Sequence, residues 1–174
     1  MLPSRSTRTE NQARGCDLLR DRFSRRDTLL MPDAFNALSA RLIEHMGFQA
    51  VQCSGRCFSL TAACPSEAEF GMQGNLVLTT EICQAVAIPV MADGEDGFGG
   101  PDSVESTVRA YISAGVVGTN IEDQVLDVPH SGAVIDVDLA CRKIAAAVAR
   151  WQTLNFLLLF RDHAQPSRER HPPA

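Results

Sequence analysis

The feature that most constrains this chain is an alternation. Five short apolar runs, near residues 28–31, 48–53, 88–92, 116–121 and 155–160, are separated by segments whose apolar residues recur every three or four positions. Short apolar runs suit buried strands, and the three-to-four recurrence suits amphipathic helices. Parallel strands cannot be joined by a tight hairpin, so a β-α-β-α-β-α-β-α-β pattern implies a parallel sheet with right-handed crossovers. No G-x-G-x-x-G follows the first run, which disfavours a dinucleotide-binding fold.

The ends of these runs carry the chemistry. Met91 to Gly99 reads M-A-D-G-E-D-G-F-G and places Asp93 and Glu95 two residues apart where the third strand ends. Asn120 and Glu122 repeat that spacing at the end of the fourth. Residues two apart on an extended chain share a face. Adjacent strands ending this way make an oxygen-rich pocket that suits Mg²⁺ or Mn²⁺. The competing reading is that the acids only cap the following helices. Ser54-Gly55 stands after the second run, where a glycine lets backbone N–H groups approach a ligand or simply makes a turn. Arg161 ends the fifth. Polar candidates confined to the C-terminal ends of strands are the pattern of a (β/α)₈ TIM-type barrel. With about five βα units in 174 residues, that barrel is incomplete.

Along the chain, residues 1–9 read as a frayed terminus, 10–163 as the partial barrel and 164–174 as a Pro-rich disordered tail. Residues 10–24 predict an amphipathic helix, with Arg20, Arg22, Arg25 and Arg26 balanced by interleaved aspartates. Pro32 ends the first strand, and Asp33 is the expected cap of a helix carrying Phe35, Leu38, Leu42, Ile43 and Met46. Residues 56–78 read as irregular, punctuated by Pro65, Gly71 and Gly74, before a short helix over 81–87. Asp102 or Ser103, and Asp136 or Asp138, are the expected caps of the last two helices. His45 suits a helix C-terminus, His130 lies in the loop after Glu122, and His163 and His171 belong to the tail. The formal net charge of −5 gives no general attraction to nucleic acid. No run is long enough to span a bilayer. Six cysteines without C-x-x-C pairing or zinc-ligand spacing suggest free thiols in a reducing compartment, so a cytoplasmic location is expected.

M-P-D-A-F-N-A-L-S-A-R-L, G-F-Q-A-V-Q-C-S-G, I-P-V-M-A-D-G-E-D-G-F-G and A-G-V-V-G-T-N-I-E-D, in this order, resemble successive blocks of the isocitrate lyase/phosphoenolpyruvate mutase superfamily over residues 10 to 161. The resemblance implies a (β/α)₈ barrel, often oligomeric, and Mg²⁺-dependent making or breaking of C–C or P–C bonds in α-keto or α-hydroxy acids through an enolate. By position, Asp93, Glu95 and Glu122 match the family's metal-shell acids. Ser54 and Gly55 match the residues that hold the pyruvate-like carboxylate or enolate oxygen, and Arg161 the arginine that contacts substrate acid groups. The implied catalytic set is Ser54, Gly55 and Arg161, with Asp93 added for substrate binding. A small dicarboxylate or phosphonate α-keto acid is the implied substrate, and a homo-oligomer the implied assembly.

The departures from that pattern are specific. Ser66 stands where an acid is expected, with Glu67 and Glu69 as possible substitutes. The K-R-C-G-H loop of the isocitrate and methylisocitrate lyases has no counterpart after Glu122, and Cys141 lies on the wrong helix to replace its cysteine. The second crossover helix reads as shortened, and strands six to eight are not found. A truncated, inactive remnant that at most binds metal or a partner chain is therefore the alternative expectation.

Overall fold

The computed structural model describes residues 5–25, 28–126, 133–149 and 155–163. Five parallel strands form one sheet in sequential order: β1 (Asp33–Ala34), β2 (Val51–Cys53), β3 (Val90–Asp93), β4 (Gly118–Glu122) and β5 (Leu157–Arg161). Helix α1 (Arg5–Ser24) precedes them. The crossovers hold α2 (Ala37–His45), then α3 (Gly55–Thr61) with α4 (Glu67–Ala85), then α5 (Pro101–Ala114), then α6 (Val137–Val148). The sheet is the incomplete parallel barrel expected, with β1 and β5 at its edges.

Local chemistry explains the boundaries. Pro32 does not end a strand over 28–31; it precedes β1, whose first residue is Asp33. Asn36, not Asp33, caps α2: its side chain accepts from Ser39 N while the Ser39 hydroxyl accepts from Asn36 N. The segment expected to be irregular is the largest correction. Ser54 caps α3 and Ser66 caps α4, so Pro65 marks the stop between two helices. Gly71, at φ 66° and ψ 177°, breaks α4 without ending it. The second crossover is thus long rather than shortened. Gly100 with Pro101 at the first helical turn starts α5, in place of an Asp102 or Ser103 cap, and Asp136 caps α6 as expected. Helix α1 starts at Arg5, ahead of the predicted start at residue 10. Residues 1–4, His130 and the tail 164–174 lie outside the described residues.

The core has three parts. Phe58, Ile82, Ile43 and Val51 pack beneath α2, α3 and α4. Val104, Val108 and Tyr111, spaced by four and three on α5, close over Ala92, Ile121 and Phe156. Each such side chain contributes about 1.5–3 kcal/mol when fully buried. At the other end of the strands, Cys16 and Leu19 of α1 meet Ala50, Met91 and Val117. Helix α2 departs from its expected packing. Ala40 and Ile43 face the core, while Phe35, Leu38, Leu42 and Met46 are exposed on the flank of the edge strand β1. Nothing among the described residues lies beyond β1 to cover that flank.

Candidate active site

Strand register brings the candidates together. Asp93 pairs across with Asn120, and Glu122 with Arg161, so the ends of β3, β4 and β5 align. Asp33 opposes Gln52 on the other side, and Ser54 follows β2 directly. An open cavity of about 590 Å³ lies over these strand ends, lined by Asp33, Ser54, Asp93, Asn120 and Arg161. This is the position where parallel α/β barrels carry their sites.

The side chains form one polar network. Asp93 Oδ2 accepts from Gly55 N at 2.9 Å, and its Oδ1 from Asn120 Nδ2 at 3.0 Å and Glu95 N at 3.3 Å. Asn120 Nδ2 also donates to Glu122 Oε1 at 3.0 Å, bridging the two carboxylates. Glu122 is buried, and Arg161 Nη1 reaches the same Oε1 at 3.2 Å. His163 Nε2 lies 2.6 Å from Glu122 Oε2. Glu95 sits in a loop tied to β4, because its carbonyl accepts from Glu122 N at 2.7 Å. Behind β3, Tyr111 Oη lies 2.9 Å from the Asp93 carbonyl and 2.8 Å from Asn75 Oδ1, and Asn75 Nδ2 donates to the same carbonyl at 3.2 Å.

The expected residues therefore converge, with changed duties. Gly55 N–H points at Asp93 rather than into the cavity, and a Cβ on Gly55 would overlap Glu95 Oε1. The glycine is needed for close approach of the Glu95 carboxylate. Ser54 Oγ accepts from Cys57 N at 3.4 Å, which leaves its proton to donate. Of the substitutes for an acid at 66, Glu67 is near enough to influence Glu95. Cys141 is exposed on α6.

Asp93 at the end of β3, Glu95 in the loop that follows it and Glu122 at the end of β4 lie on the same side of the sheet. Yet among the described residues no set of three His, Cys, Asp or Glu side chains is poised to enclose a metal ion. The reason is visible: Glu122 turns to Arg161 and His163, and Asp93 to Gly55 and Asn120. The donor set still fits a cation. Glu95 Oε1 and Asn120 Oδ1 are buried acceptors with no hydrogen-bond partner among the described residues. Glu95 is 5% exposed, and burial together with Asp93, Glu67, Glu122 and Asp96 pushes its carboxyl up to about 9. Burial and Asp93 likewise raise Asp33. Buried orphan acceptors amid negative charge are what a hard divalent cation would satisfy.

Sequence reasoning missed Asp33, Asn75, Tyr111 and His163. Asp33 carried a signal: it lies beside the first apolar run, where the other acids lie beside theirs. Asn75 and Tyr111 carried none, since they act from helices on a carbonyl 18 residues away in each direction.

A parallel sheet with acids, an amide and an arginine at its C-terminal ends has the arrangement of a (β/α) barrel with its polar groups over one face. The chain belongs to the phosphoenolpyruvate phosphomutase family, which it matches over residues 19–163. It is 33% identical over 135 residues to a 2-methylisocitrate lyase of Aeropyrum pernix, covering 75% of this chain and 44% of that one. Among solved structures it resembles a phosphoenolpyruvate phosphomutase from Streptomyces platensis subsp. rosaceus, with TM-score 0.78 and 31% identity over 86% of this chain and 54% of that one. It also resembles a phosphonopyruvate hydrolase in complex with oxalate and Mg²⁺, with TM-score 0.78 and 30% identity over 88% of this chain and 52% of that one. The chain thus spans about half the length of the relatives it matches.

Proposed function

We propose that this site makes or breaks a C–C or P–C bond beside the carbonyl of a small α-keto or α-hydroxy acid, through an enolate and with Mg²⁺ or Mn²⁺. The observation that carries the reading is the pair of buried acceptors, Glu95 Oε1 and Asn120 Oδ1, that have no partner among the described residues and lie within an acid cluster bordering the cavity. Asp93, Glu95 and Glu122, with the Asn120 amide oxygen, would hold the ion. When bound, it would act as a Lewis acid toward the substrate carbonyl. The chain's own groups do the rest. Arg161 spends one N–H on Glu122 and its side chain is 66% exposed, so its remaining fork pairs a substrate carboxylate or phosphonate. The Ser54 hydroxyl donates to the oxygen on which negative charge develops. Asn120 holds Asp93 and Glu122 at a fixed separation through one amide nitrogen. Relatives named as a 2-methylisocitrate lyase and a phosphonopyruvate hydrolase support this substrate class. We also propose a homo-oligomer, supported by the exposed apolar stripe of α2, and a cytoplasmic location, supported by the free cysteines.

The test is pyruvate release from oxaloacetate, 2-methylisocitrate and phosphonopyruvate, with Mg²⁺ or EDTA, using the Asp93→Ala variant as the background. Turnover of one substrate that EDTA and Asp93→Ala abolish is the expected result. A second reading, a non-catalytic metal or partner binder, is favoured by one observation: Glu122 is already engaged by Arg161 and His163. Metal binding without turnover of any of the three would select it.

A further inference from the structure

The only lysine in the chain is buried. Lys143 projects from α6, outside the sheet, yet it is 3% exposed. An ammonium so placed needs a partner, because burying an unpaired charge costs several kcal/mol. Its Nζ donates to the Asp96 carbonyl at 2.7 Å and lies 3.5 Å from Asp96 Oδ2. Asp96 belongs to the loop between β3 and α5, immediately after Glu95.

That loop is held in costly conformations. Glu95 has φ 48° and Phe98 has φ 57°, in the left-handed region that non-glycine residues rarely adopt. Such backbone persists only where its surroundings over-determine it. Asp96 Oδ1 accepts from Phe98 N at 2.8 Å, and Gly97 N donates to Gly94 O at 2.7 Å, both inside the loop. Thr107 of α5 reaches Gly97 O at 3.4 Å. Lys143 comes from a different helix, 47 residues on, and fixes the carbonyl next to Glu95. We propose that Lys143 is a positioning residue: it clamps the Asp96 end of this loop and so holds the Glu95 carboxylate beside Asp93 and Glu122 for a divalent cation. The inference rests on the cation reading of the site.

The test compares wild type, Lys143→Met and Lys143→Arg in two measurements. The first is amide hydrogen exchange over residues 94–100 without metal. The second is Mn²⁺ affinity by electron paramagnetic resonance. Lys143→Met should speed exchange in that loop, leave α1 protected, and weaken Mn²⁺ binding by roughly 10–100-fold, as loss of outer-shell partners does. Lys143→Arg should recover part of both. Unchanged loop exchange in Lys143→Met overturns the clamp. Faster exchange with unchanged Mn²⁺ affinity overturns the link to Glu95 while leaving the cation site in place. A wild type that binds no Mn²⁺ fails the cation reading itself, and the link to a cation falls with it, whatever the exchange shows. If Lys143→Met does not fold, Lys143→Gln carries the same comparison.

Discussion

The two ends of the sheet are finished in opposite ways. At the N-terminal end, helix α1 lies across the strand starts and satisfies what it covers. Gln12 Nε2 donates to the carbonyls of Ile112 and Val116, both at 2.8 Å, and Arg20 donates to those of Asn155 and Phe156. Cys16 and Leu19 fill the space between with apolar surface. At the C-terminal end, acids crowd together, and two buried acceptors have no partner among the described residues. One end is built for stability and the other keeps polar groups under-satisfied. That contrast marks where a ligand belongs more clearly than any single residue does.

The contrast can be broken at either end. The largest expected effect is at the dry end. Leu19→Ala should cost about 2–5 kcal/mol in urea unfolding, as truncation of a fully buried leucine does, and should leave Mn²⁺ affinity unchanged. The next is a pH effect at the polar end. Glu95 binds its proton more tightly folded, at about 9, than at its ordinary 4.5. Its protonated form therefore favours folding fully below pH 4.5, and that contribution is lost as pH rises from 4.5 toward 9. Without metal, the melting temperature should fall across this window in wild type and fall less in Glu95→Gln. Equal slopes in the two proteins would remove the buried Glu95 carboxyl from the account. The smallest effect sharpens the contrast. Gln12→Ala should cost about 1–3 kcal/mol, because it takes the side-chain donor from two carbonyls beneath α1, and again should not touch metal affinity.

The parts of this arrangement that could be read in sequence are those where a local pattern and the fold agree. Strands β3, β4 and β5 end in carboxylates or an arginine directly after apolar runs, so Asp93, Glu122 and Arg161 could be found by position. Residues 56–78 read as irregular because Pro65, Gly71 and Gly74 look like loop signals, while the helix expected from residue 81 is the end of α4. In the structure Pro65 sits just before a cap, Gly71 kinks a helix that continues, and Gly74 packs within that helix against Phe70. Lys143 was invisible for another reason. The larger apolar residues of α6 include Leu139, Ile144 and Val148, whereas the helix buries Ala140, Lys143 and Ala147. A charge turned inward to reach a loop 47 residues earlier leaves no local trace. The exposed stripe on α2 follows the same logic: periodicity shows that a helix has an apolar face, not whether a neighbour covers it.

The most direct test of the central claim is titration of Mn²⁺ into wild type and Asp93→Ala, with oxalate added after the metal. The account predicts that wild type binds one Mn²⁺, that its thermal stability rises with the metal, that oxalate tightens the complex, and that Asp93→Ala loses all three responses. Equal Mn²⁺-dependent stabilisation of both proteins, or none in either, would contradict it.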